Sequence, residues 1–168
     1  MTVKKVSLLS KLGNKIASIK ETDNQILALD YCSELTKICT AGKDCAVRIY
    51  DDATKRLVRT FEKGSWYSPG HSNRVFSCKF MPKDPNTLIT GGWDSSVFIW
   101  DIRQPKSVAA FVGPNISGDT LDCRETVLLT GSHRARESLE LWDIGTRKRI
   151  CEVEIEPGKM VECNLIEG

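Results

Sequence analysis

A sixteen-residue phrase, Leu88-Ile89-Thr90-Gly91-Gly92-Trp93-Asp94-Ser95-Ser96-Val97-Phe98-Ile99-Trp100-Asp101-Ile102-Arg103, recurs in outline on both sides of itself. The earlier copy runs from Ile38 to Asp51, and the later one from Val127 through Thr130 to Leu141-Trp142-Asp143. A weaker trace, Val6-Ser7-Leu8, opens the chain, so the anchor positions are Leu8, Tyr50, Trp100 and Trp142, at intervals of 42, 50 and 42 residues. Such a chain is a repeat protein: a unit this short cannot bury its own faces and must stack on its neighbours. Within each copy an apolar pair, small residues, a turn and then alternation through Val47 and Ile49, or Val97 and Ile99, predict two antiparallel strands joined by a hairpin.

A period near 40 to 45 residues ending in Trp-Asp is the signature of a four-stranded propeller blade. These residues resemble the WD40 repeat family over almost the whole chain. The resemblance implies an all-β fold of about three and a half blades in an incomplete ring. The expected organisation is a half blade at 1–20, blade 1 at 21–61, blade 2 at 70–111, blade 3 at 113–156, and a first strand of a next blade or a tail at 157–168. In this family a His, a Ser or Thr, the turn Asp and the Trp form a hydrogen-bonded staple within each blade. Blade 2 has all four, as His71, Thr90, Asp94 and Trp100. Blade 1 keeps Thr40 and Asp44 but has Thr22 in the His place and Tyr50 in the Trp place; blade 3 keeps Thr130 and Trp142 but has Gly113-Pro114 for Gly-His and lacks the turn Asp. The strongest staple is expected in blade 2.

Seven cysteines without a CxxC pair, most of them at strand positions, predict buried free thiols. The N-terminus leads into no long apolar run, and no stretch approaches the ~20 apolar residues of a membrane span. The expectation is a cytoplasmic or nuclear protein, neither secreted nor membrane-bound, with the sequon at Asn115 unused. A formal net charge of +2 gives no global pull toward nucleic acid.

Successive strands of a blade alternate in direction, so loops entering the first strand and loops joining the second to the third emerge on one face. The insertion from Glu62 to Pro69, the hairpin from His133 to Ser138 and the turn at Trp93 therefore share a face. The candidate partner-binding residues are Trp66, Tyr67, Trp93, His133, Arg134 and Arg136, aromatic and basic side chains of the kind enriched at binding hot spots. On the other face, Arg147-Lys148-Arg149 reads as a solvated turn.

Chemistry finds little to work with. His71 has a structural task, and adjacent strand residues Ser132 and His133 point to opposite faces, which denies a nucleophile its base. Lys43 lacks the glycine spacing of a phosphate loop, and the spacing of Cys32, Cys39 and Cys45 matches no common zinc pattern. No catalytic, metal or cofactor site is expected.

The resemblance implies a non-enzymatic scaffold that holds partner proteins on its loop face, and an incomplete ring that either further sequence or self-association with a second copy of the chain would complete. A narrower alternative is a substrate receptor of a cullin-4 ubiquitin ligase, because the phrase ending at Arg103 resembles the Trp-Asp-x-Arg docking pattern, with Asp94 and Asp101 in support. Blades 1 and 3 lack it. A third alternative is a phospholigand or nucleic acid held by Arg134 and Arg136 with an aromatic ring beside them; the near-neutral charge argues against nucleic acid.

Overall fold

A computed structural model describes residues 4–9, 12–134 and 138–153. Arg136 and the segment 157–168 lie outside them. The described chain is all-β, without a helix, as the repeats require.

The half blade is a two-stranded antiparallel pair, β1 (Lys4–Leu9) and β2 (Lys15–Glu21). Blade 1 comprises β3 (Ile26–Tyr31), β4 (Lys37–Gly42), β5 (Val47–Asp51) and β6 (Leu57–Phe61). Blade 2 comprises β7 (Val75–Met81), β8 (Asp84–Gly92), β9 (Ser96–Asp101) and β10 (Ser107–Val112). Blade 3 comprises β11 (Leu121–Arg124), β12 (Val127–Gly131), β13 (Leu139–Asp143) and β14 (Lys148–Glu152). Each four-stranded sheet is an antiparallel meander in chain order.

The core lies between sheets. Leu88 on β8 joins Cys39, Val47, Ile49 and Phe61 of blade 1, whereas its neighbour Ile89 joins Leu121, Leu128 and Trp142 of blade 3. Adjacent strand residues point to opposite faces, so a strand covered on both sides needs apolar residues without a break. Ile19, Ile38 and Tyr50 make the corresponding contact between half blade and blade 1. The small residues after each apolar pair permit this approach: a Cβ on Gly91 would stand 2.8 Å from the side chain of Ile116.

The hairpin turns follow from Asp. Asp44 accepts the Ala46 N–H at 3.1 Å and Asp94 the Ser96 N–H at 3.2 Å, and the residue after each, Cys45 and Ser95, takes a left-handed conformation. Five cysteines, Cys32, Cys39, Cys45, Cys78 and Cys123, are free thiols. Cys39 and Cys78 meet across blades 1 and 2 with sulfurs 3.1 Å apart, and burial, reinforced by Cys78, holds the Cys39 thiol well above its usual range. Cys151, on β14, departs from the free-thiol expectation: it is disulfide-bonded.

Candidate partner-binding face

Two sets of loops emerge at opposite ends of the strands, and hydrogen bonds join the members of each set. At one end, Trp93 N–H donates to Arg74 O at 2.9 Å, Gly113 N–H to Ser95 O at 2.9 Å and His133 N–H to Asn115 O at 2.8 Å. At the other, Asp52 N–H donates to Thr36 O, Ile102 N–H to Asn86 O and Ile144 N–H to Thr126 O, at 2.9, 2.9 and 2.8 Å. Trp66, Tyr67, Trp93, His133 and Arg134 all belong to the first end.

Below that face sits the blade 2 staple. Trp100 Nε1–H donates to Thr90 Oγ1 at 2.8 Å, Thr90 Oγ1 meets His71 Nε2 at 2.7 Å, and His71 Nδ1 meets Asp94 Oδ2 at 2.9 Å. A carboxylate only accepts, so Nδ1 carries the proton; a neutral ring then accepts the Thr90 proton at Nε2, and the chain runs in one direction from Trp100 to Asp94. His71 is fully buried, edge-on to Phe98 with centroids 4.7 Å apart. Burial pushes the Asp94 carboxyl up, but the His71 bond and the Ser72 and Ser96 N–H groups outweigh it and hold the group below its usual range.

Blade 1 is stapled differently from the sequence expectation. Thr22 is exposed, and buried Glu21 supplies the partner instead. Its carboxylate accepts the hydroxyl protons of Thr40 and Tyr50, the Arg48 guanidinium at 3.1 Å and the Asn24 amide at 2.5 Å. A carboxylate takes several donors where a neutral imidazole takes one, which suits a blade with Tyr50 in place of Trp. In blade 3 the place of Phe98 is taken by Glu140, buried and paired with Arg149 at 3.0 Å, and Trp142 Nε1 has no hydrogen-bond partner among the described residues. Glu21 and Glu140 escaped the sequence reading; at Glu140 the signal was a carboxylate between apolar residues of β13, whereas Glu21 follows Lys20 at the end of β2 and carried no such signal.

The loop from Glu62 to Arg74 presents its aromatic side chains outward. Gly64 N–H donates to His71 O at 2.9 Å, Ser65 and Ser68 exchange backbone bonds, and a Cβ on Gly64 would sit 2.2 Å from Gly70 O, so the base is pinched shut. Trp66 and Tyr67 occupy the tip at 101% and 91% exposure. A depression of ≈ 480 Å³ beside them is bounded by Trp66, Pro69, Ser72 and Phe98. Trp93 is different: at 43% exposure it tilts against Phe76 at 5.2 Å, with the Arg74 guanidinium 5.5 Å from its ring centre. His133 and Arg134 are exposed, and Arg134 donates to Gly113 O. Asn115, held against Ser95 Oγ at 3.2 Å, joins the Trp93 turn to this hairpin.

The docking candidates divide between the two ends of β9. Asp94 is committed to His71, whereas Arg103 lies at the far end, where Nε and Nη2 grip both oxygens of Asp101 at 2.8 and 2.7 Å and the side chain is 66% exposed. No cluster of metal-ligating side chains occurs among the described residues.

Sheets of four meandering strands, stacked face to face and each anchored by an aromatic residue at the end of its third strand, define propeller blades. The WD domain, G-beta repeat family model matches residues 13–51 and 56–101, just over half of the chain, which belongs to the WD40 repeat family. Among its relatives, the protein transport protein SEC31 of Candida glabrata is 25% identical over 86% of this chain and 12% of its own length. The methylosome protein WDR77 of Xenopus laevis is 28% identical over 58% of this chain and 27% of its own length. The guanine nucleotide-binding protein subunit beta of Zea mays is 28% identical over 48% of this chain and 23% of its own. The chain thus spans a minor part of each. The crystal structure of the RRP9 WD40 repeats shares the fold at a TM-score of 0.68, with 20% identity, covering 77% of this chain and 38% of that one.

Proposed function

We propose that this chain is a non-enzymatic interaction scaffold that holds a partner protein on the face carrying Trp66, Tyr67, Trp93, His133, Arg134 and Arg136. The observation that carries this reading is the loop tip: two aromatic side chains stand fully in solvent on a backbone closed by its own hydrogen bonds. Exposed aromatic residues on a rigid support bring large contact area at small entropic cost. Membership of the WD40 family supports the scaffold assignment. The five free thiols support a cytoplasmic or nuclear setting; the disulfide at Cys151 is the one feature that does not. No helix among the described residues is long and apolar enough to cross a membrane.

A second, narrower reading is docking to a ligase adaptor from the opposite face, for which the support is the 66% exposure of the Arg103 side chain beside its Asp101 partner. The phospholigand reading, which rests on Arg134 and Arg136, has less support, since Arg134 already donates to Gly113 O. Affinity capture compared between the intact chain, a Trp66→Ala/Tyr67→Ala variant and an Arg103→Ala variant separates the two. Partners lost with the aromatic pair and retained with Arg103→Ala support the loop face; the reverse pattern supports adaptor docking and overturns it.

A further inference from the structure

We propose that Cys39 and Cys78 form a redox-sensitive lock between blades 1 and 2: in the presence of a small-molecule disulfide the two thiols close into one interblade disulfide. Cys39 lies on β4 and Cys78 on β7, 39 residues apart in sequence. Their sulfurs stand 3.1 Å from each other, about 1 Å beyond the length of an S–S bond. The other three free thiols among the described residues have oxygen or nitrogen partners. Cys32 Sγ accepts the Lys37 N–H and lies against Thr36 Oγ1, Cys45 donates to Lys43 O, and Cys123 donates to Phe80 O. The backbone holds the close approach in place. Asp30 stands directly opposite Cys39 in the β3–β4 ladder, and its carboxylate accepts the N–H of Phe80, two residues past Cys78, at 2.8 Å. The two blades are thus tied beside the sulfurs, and the remaining gap is of the size that side-chain rotation closes.

Burial decides when the lock closes. Cys39 and Cys78 are 0% and 1% exposed, so an oxidant does not reach them while the blades are in contact. Burial also keeps the Cys39 thiol protonated and therefore unreactive. Blades of a stack touch only their neighbours, so this boundary can part while each sheet keeps its own ladder. Once one sulfur is reached, its thiolate attacks a sulfur of the small disulfide, whose S–S bond breaks and releases one small thiol. A mixed disulfide is left on the protein. The second cysteine, as thiolate, attacks the protein sulfur of that mixed disulfide and expels the other small thiol. Two protein thiols are oxidised, one small disulfide is reduced to two thiols, and the two protons shed by the protein end on those thiols. The new bond crosses the boundary and holds the blades together.

The test incubates the full chain with oxidised glutathione, in urea from zero to just below the unfolding transition, and maps disulfides by mass spectrometry of unreduced peptides. Peptides joined through Cys39 and Cys78 are expected to form, and to form faster as urea rises. The joined chain is expected to melt about 5–10 °C higher, the gain disappearing on reduction. Cys39→Ala and Cys78→Ala are each expected to keep a cooperative melt and to lose both the joined peptides and the gain, which separates this bond from the disulfide at Cys151. Glutathione carried separately on Cys39 and Cys78, or both thiols still free at the highest urea, overturns the proposal. So does a joined chain that melts no higher than the reduced one, or a gain that persists in Cys39→Ala.

Discussion

Phe61, the last residue of β6, lies over the indole of Trp100 across the boundary between blades 1 and 2, with ring centroids 4.5 Å and planes 28° apart. Phe111 at the same place on β10 stacks on Trp142 at 4.7 Å, and Ile19 near the end of β2 packs with Tyr50. The anchor residue of each repeat is therefore covered by the outer strand of the preceding one. This links the period of the sequence to the cohesion of the stack. Phe61→Ala is expected to cost about 3–5 kcal/mol, the range for truncating a buried aromatic residue, read as a lower urea midpoint at an unchanged m-value.

Thr90 and Thr130 hold equivalent places but unequal loads. Thr90 Oγ1 serves both Trp100 and His71, whereas Thr130 Oγ1 reaches only the Glu140 carbonyl, at 3.4 Å. Thr90→Val strands two buried polar groups, each at about 1–3 kcal/mol. Thr130→Val removes one long bond and is expected to cost less than about 1 kcal/mol. Equal losses in chemical denaturation would show that the staple contributes no more in blade 2 than in blade 3.

Blade architecture was legible because the strands are buried on both faces, which forces the apolar pairs and small residues to recur with the period of the stack. The blade 2 staple was legible for a related reason: His71, Thr90, Asp94 and Trp100 each present a distinctive chemical group. Glu21 was not, because what blade 1 needs there is an acceptor for Thr40 and Tyr50, and a carboxylate one residue before the aligned position meets that need. The loop face was legible as inserted length. Its conformation was not: nothing in residue type says that Trp66 stands in solvent while Trp93 lies between Phe76 and Arg74. Nor does the order Asp101-Ile102-Arg103 announce that the Asp grips the Arg.

Glu21 ends the half blade, yet its bonding partners Thr40, Arg48 and Tyr50 all belong to blade 1, so it ties the two together. Removing one member of a buried ion pair leaves the other without compensation. Arg48 retains Asp44 at 2.6 Å, which places Glu21→Ala at the low end of the usual range, about 3 kcal/mol. Tyr50→Phe removes a single hydroxyl and is expected to cost about 1 kcal/mol. Hydrogen exchange adds a local readout: Glu21→Ala should release the amides of β2 while leaving those of blade 2 protected.

Asp94 sets a pH dependence whose sign follows from its environment. The His71 bond and the Ser72 and Ser96 N–H groups hold its folded pKa below the ordinary carboxylate value of about 3.9, against the opposing effect of burial. A carboxylate depressed in the folded state adds stability well above that value and gives it up as pH falls through it toward the folded pKa. Asp94→Asn cannot titrate, so it is expected to be less stable at pH 7, with the deficit shrinking below about pH 5. Asp51, Asp52, Asp84, Asp101 and Asp143 are also depressed but are present in both proteins and cancel in the difference between the two stability curves, which reports Asp94 together with its bond to His71. A deficit constant from pH 7 down to pH 3 would mean that Asp94 acts only through the shape of the turn, and that its charge adds nothing to the bond with His71.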